Sequence, residues 1–161
     1  MECRATGKRL EGFFYEVSED ATAYRAEQLG LNAIHHLLCA ISIFYDVEEW
    51  DTKTGCDNEG AIKISRRRLR RIRPSMSCAD ILRNIRSARN RMTTNPNYFH
   101  VYGHMDDILR DDQLSFEQRL NKRCDILAKE AVDLATKLRS QGHVRKEPQL
   151  LPQESAAVLV K

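Results

Sequence analysis

A change in hydrophobic period limits what this chain can fold into. Between Tyr24 and Phe44, Glu27, Leu31, Ile34, Leu38 and Ile41 recur at three- and four-residue intervals, which puts them on one face of a helix. Thr22 or Asp20 stands where its N-cap belongs. The flanking runs read differently. Leu10 to Val17 (LEGFFYEV) is aromatic and β-branched between polar clusters, and reads as a strand. Glu48 to Cys56 (EEWDTKTGC) alternates loosely up to Gly55, predicting a second strand that delivers Asp57 at its carboxyl end. Asn95-Pro96 marks a turn, and Tyr98 to Tyr102 (YFHVY) reads as a third strand.

Helices are predicted between and after these strands. One runs from Glu59 into an arginine run and is broken by Pro74; the next, capped by Ser75 or Ser77, covers Ala79 to Met92. Gly103 to Ser115 carries Asp106, Asp107, Asp111 and Asp112 without apolar periodicity and reads as a mobile acidic loop. A long C-terminal helix from Ser115 to Ser140 aligns Leu120, Cys124, Leu127, Ala131, Leu134 and Leu138, and stops at Gly142. Strands separated by helices argue for an α/β layer structure: a mixed sheet of about three strands packed with four or so helices. In such folds ligand sites gather at strand carboxyl ends. The expected organisation is one domain over residues 1–141 and a flexible tail over 142–161.

Hydrophobic residues make up 42% and charged residues 30%, which excludes a disordered chain. The longest apolar stretch, Leu37 to Tyr45, is about half the ~20 residues of a membrane span, and no basic-then-apolar leader opens the chain. An intracellular protein, nuclear or cytoplasmic, is expected, with no membrane partner. Cys3, Cys39, Cys56, Cys78 and Cys124 are odd in number and contain no CxxC pair. That excludes a disulfide framework or zinc ribbon and predicts reduced thiols, mostly in the core, Cys56 and Cys124 among them.

The net charge of +3 hides an asymmetry. Residues 1–61 carry 5 basic and 12 acidic side chains, a net −7, whereas residues 62–92 carry 11 basic ones against Asp80 alone, a net +10. The run RRRLRRIR contributes Arg66, Arg67, Arg68, Arg70, Arg71 and Arg73. Such a density attracts a polyanion; a solvated helix end is the bland alternative.

Three strings carry the chemistry: YRAEQLGLNAI around Glu27, GCDNEGAI around Asp57, and FHVYGH followed by LNKRCDILAKEAV around His104 and Asp125. Together, in this order, they resemble the type 1 ribonuclease H domain, in particular the divergent domains at the ends of retroelement polymerase reading frames. The resemblance spans about Leu10 to Val132, and its specific part is the GH pair with NKRCDxLA. It implies a ribonuclease H-like fold and metal-dependent hydrolysis of the RNA strand of an RNA/DNA hybrid. Glu27, Asp57 and Asp125 would be the metal-binding carboxylates of a two-metal magnesium or manganese site, with His104 as a fourth catalytic residue. The arginines of the run and Asn58 would contact nucleic acid.

The chemistry of phosphodiester cleavage agrees with such a set. It needs an activated water and relief of charge on the leaving oxygen, which two divalent ions about 4 Å apart supply. Magnesium takes carboxylate and water oxygens, so the chain must converge carboxylates from separate elements. A titrating imidazole nearby transfers protons. Each residue also has a plainer role open to it: Glu27 in a first turn complements a helix dipole, Asp57 caps a helix, Asp125 faces solvent, and His104 sits in a loop. His35, His36, His100 and His143 are read as structural.

The family's first-strand Asp has no counterpart here, because only nine residues precede LEGFFYEV. The expectation is an N-terminally truncated domain, completed by an upstream polymerase segment or by missing strands. A catalytically inactive nucleic-acid-binding remnant is therefore the alternative function. A transposase or integrase of related fold is disfavoured by the GH loop and the NKRCD helix.

Overall fold

A computed structural model describes residues 2–3, 6–12, 22–48, 51–67, 71–92 and 96–141. They fall into two compact units, one holding the described residues between 22 and 103, the other those of 2–12 and 104–141.

The first unit is mixed α/β. Helix α1 (Ala23–Tyr45) starts where Thr22 Oγ1 accepts the Arg25 amide, and buries Gln28, Leu31, His35, Leu38, Cys39 and Ser42 at helical spacing. It ends at Asp46, a left-handed residue whose amide donates to the Ser42 carbonyl. By length and composition α1 is also long and apolar enough to cross a membrane, although it holds no unbroken apolar run of that length. A helix that packs a stripe into a core meets the same criterion.

Strands β1 (Lys53–Cys56) and β2 (Asn97–His100) form a two-stranded parallel sheet, with Lys53 opposite Asn97 and Cys56 opposite His100. Parallel strands need a crossover, here supplied by α2 (Glu59–Arg66) and α3 (Ala79–Asn90). Gly55 is required by the pairing: a Cβ there would lie 2.8 Å from Phe99 Cζ and 2.9 Å from Val101 Cγ2.

One apolar cluster joins all five elements through Leu31, Cys56, Ala61, Ile62, Ile81, Ile85 and Tyr98. A second ties α1 to α3 through Leu38, Cys39, Ala88 and Met92. Several polar groups inside this core are matched to one another. Gln28, fully buried, donates to the Ala61 carbonyl at 3.3 Å and accepts from Ser65 Oγ at 3.3 Å. His35 donates from Nδ1 to the Leu31 carbonyl at 2.6 Å and accepts the Tyr98 hydroxyl at Nε2. Arg25 forks onto Asp80 with bonds of 3.1 and 2.8 Å, tying the start of α1 to the start of α3.

In the second unit Glu2 and Arg9 form an antiparallel bridge and an ion pair. Helix α4 (Phe116–Ser140) opens with a capping box: the Gln118 amide donates to Ser115 Oγ at 3.2 Å, and the Ser115 amide to Gln118 Oε1 at 2.8 Å. Arg123 donates to Glu11 Oε2 from Nε at 3.1 Å and Nη2 at 3.0 Å.

The α/β class, four helices and their order match the sequence reading, and several details differ. The strand expected over Leu10 to Val17 and the tail over 142–161 lie wholly or largely outside the described residues. Helix α2 stops at Arg66, well before Pro74: Arg67 is extended, and Ile72 is buried against Ala79 and Leu82. Neither serine caps α3. Its N-cap is Cys78, left-handed at φ 55° and without a capping side chain, while the first-turn Asp80 carboxylate accepts backbone amides, Ile81's among them. The loop after Gly103 contains a 3-10 turn, Met105–Asp107. Only Cys39 and Cys56 are buried; Cys3 and Cys124 are exposed, and none of the five is in a disulfide. Cys124 misses the core because the α4 stripe is only partly covered: Ala131 is buried, but Leu134 is exposed.

Candidate metal centre

The site begins where β1 ends. Cys56 is its last residue, and strand alternation turns that side chain into the core while Asp57 follows in the bend leading to α2. Asn58, not Asp57, caps α2: its Oδ1 accepts the Ala61 amide at 3.0 Å, which leaves the Asp57 carboxylate out of the cap. Across the core from α1 comes Glu27, the fifth residue of its helix. The first turn of α1 holds no acidic residue, so Glu27 sits in the second turn and outside the usual reach of the helix dipole.

One donor atom from each of Glu27, Cys56 and Asp57 lies within 4.8 Å of the others. Glu27 and Asp57 are half-buried and Cys56 is buried. The Cys56 thiol donates to Glu27 Oε2 at 3.2 Å, and its sulfur accepts the Asn58 amide at 3.4 Å. Burial pushes this thiol up to about 12, against the opposing pull of the Asn58 amide and with further upward push from the Glu27 and Asp57 charges. With no cation present, sulfur is thus a neutral donor clipped to Glu27.

Two further residues fix Asp57. His100 Nε2 donates to the Asp57 carbonyl at 3.0 Å, a bond set by the register that puts Cys56 opposite His100. Gly103 lies against the carboxylate, where an added Cβ would sit 3.1 Å from Oδ2. Two carboxylate oxygens and a sulfur at this spacing would be the side-chain donors for one divalent cation. Among the described residues this is the one such group of three or more donors.

Of the residues nominated from sequence, Glu27 and Asp57 come together. His104 and Asp125 belong to the other unit: His104 is exposed and left-handed at φ 54°, heading the 3-10 turn, and Asp125 is half-buried on α4. Arg67, Arg71 and Arg73 are exposed, as is Arg66, whose guanidinium nevertheless donates to the Tyr98 carbonyl at the sheet. Arg68 and Arg70 lie outside the described residues.

Cys56, His100 and Gly103 were not nominated. Strand alternation accounts for the inward turn of Cys56. His100 is legible only through the parallel register; Gly103 stood in the GH pair, but its contact with Asp57 follows only from the fold. Comparison with known proteins adds no relative: no family model, curated protein or solved structure matches this chain.

Proposed function

We propose that this chain is a ribonuclease H-like, metal-dependent hydrolase acting on the RNA strand of RNA/DNA hybrids inside the cell. The observation that carries the reading is the convergence of Glu27 and Asp57, from a helix and a strand end, with donor atoms within 4.8 Å. In this reading the two carboxylates hold magnesium or manganese, His100 and Gly103 keep Asp57 in position, and exposed Arg67, Arg71 and Arg73 meet substrate phosphates. When bound, the metal supplies an activated water and relieves charge on the leaving oxygen.

The test is cleavage of an end-labelled RNA/DNA hybrid with magnesium or manganese, beside an Asp57→Asn control and a gel-shift on the same hybrid. Metal-dependent cuts in the RNA strand that vanish in the control support the reading. A second reading, nucleic-acid binding without turnover, draws on the described donors forming one three-membered group where the family chemistry uses two metals. Its signature is a salt-sensitive shift with no cutting.

A further inference from the structure

The two carboxylates of the proposed nuclease site share it with a sulfur, and this changes which cation the site prefers. Magnesium binds hard oxygen ligands and gains nothing from a thiolate, whereas zinc-class ions bind it strongly. Tetrahedral zinc with bonds of about 2.0–2.3 Å sets its donors roughly 3.5 Å apart. Cys56 Sγ and Glu27 Oε2 already stand 3.2 Å apart, and the Asp57 carboxylate completes the set within 4.8 Å. Three protein donors with a fourth position open to water is a common zinc arrangement.

The surroundings are those of a coordinating sulfur. The Asn58 amide points at Sγ, as outer-shell donors do around metal thiolates. Glu27 and Asp57 are half-buried and Cys56 is buried, so the carboxylates are the more accessible donors. On coordination the S–H bond to Glu27 is lost, sulfur bonds to the metal, and the proton passes to solvent.

We propose that Glu27, Cys56 and Asp57 form a three-donor site for a thiophilic divalent cation of the zinc class. Such an ion excludes magnesium from the same carboxylates and holds the enzyme inactive. The second clause rests on the nuclease reading; the first does not.

The probe is cadmium chloride, titrated into the full chain carrying Cys3→Ser, Cys78→Ser and Cys124→Ser and followed by the thiolate-to-cadmium charge-transfer absorption. One equivalent of cadmium should produce the band, zinc should displace it, and excess magnesium should weaken apparent cadmium affinity. Cys56→Ser should abolish the band; Asp57→Asn and Glu27→Gln should each weaken cadmium binding about tenfold or more. No band, or a band that both carboxylate variants leave unchanged, overturns the proposal, the latter by showing a thiol acting alone. Should Cys56→Ser lose its circular dichroism signature of folding, the carboxylate variants decide. The readout is independent of turnover: a band without hybrid cleavage removes the nuclease reading and the inhibition clause with it but leaves the three-donor site, and cleavage without a band removes this proposal alone.

Discussion

Gly103 and Asp57 are in such close approach that a methyl group on the glycine would meet the aspartate: its Cβ would lie 3.1 Å from Oδ2 and 3.5 Å from the Asp57 Cβ. The carboxylate is held in place by the absence of a side chain.

Gly103→Ala should therefore separate stability from metal binding. Alanine in place of glycine restricts the unfolded chain and stabilises by about 0.4–1 kcal/mol, while the close contact takes back a similar amount. Thermal unfolding should shift little, and metal affinity, read by calorimetric titration, should fall several-fold. Unchanged affinity would show that the carboxylate relaxes away without consequence.

Burial holds His35 down to about 4, and His36 is lowered for the same reason. The unfolded chain protonates these rings near pH 6.5, so it binds more protons than the folded chain below that value. Stability contributed by neutral His35 is full above pH 6.5 and is lost as pH falls toward 4, by roughly 3 kcal/mol. Urea unfolding of wild type and His35→Gln across that window checks the sign, since the variant should show a flatter dependence. Tyr98→Phe, which deprives His35 Nε2 of its donor, should cost about 1–3 kcal/mol at neutral pH.

The forked pair of Arg25 and Asp80 is partly covered, with the carboxylate about a third exposed. The Arg25 guanidinium holds Asp80 below the usual carboxylate range, so this contribution is present at neutral pH and is lost as pH drops through and below about 3.8. Asp80→Asn should destabilise by about 1–2 kcal/mol, discounted for solvent. A double-mutant cycle with Arg25→Gln measures the coupling, and a coupling near zero would mean solvent screens the pair.

The basic run divides in two. Arg71→Ala and Arg73→Ala should weaken hybrid binding and each reduce the salt dependence by about one counterion without moving the unfolding midpoint. Arg66→Ala should move both, because its guanidinium also serves the Tyr98 carbonyl. Equal midpoints for all three variants would remove that structural role.

The helices were legible because their signals are local. The stripe from Leu31 to Leu38 and the Thr22 cap define α1, and the stripe from Leu120 to Leu138 gave α4. Helix α2 was read too long: it ends at an extended Arg67, and no local pattern in the arginine run marks that stop. Glu27 and Asp57 were named from motif order, but Cys56 read only as a small core residue. Its meeting with Glu27 depends on how α1 crosses β1, which no local pattern encodes. The roles of His100 and Gly103 follow from strand register, a property of two segments together.

The parallel pairing of β1 with β2 also orders events in folding. Matching Lys53 to Asn97 closes a long stretch of chain, and loop-closure entropy opposes that contact until α1, α2 and α3 have docked. His100 and Gly103 reach Asp57 only through this pairing, so the contacts that position this carboxylate are expected to form late. In refolding followed by stopped flow, cadmium uptake should lag the return of helical signal. Ion uptake in that experiment would then report that β1 has paired with β2.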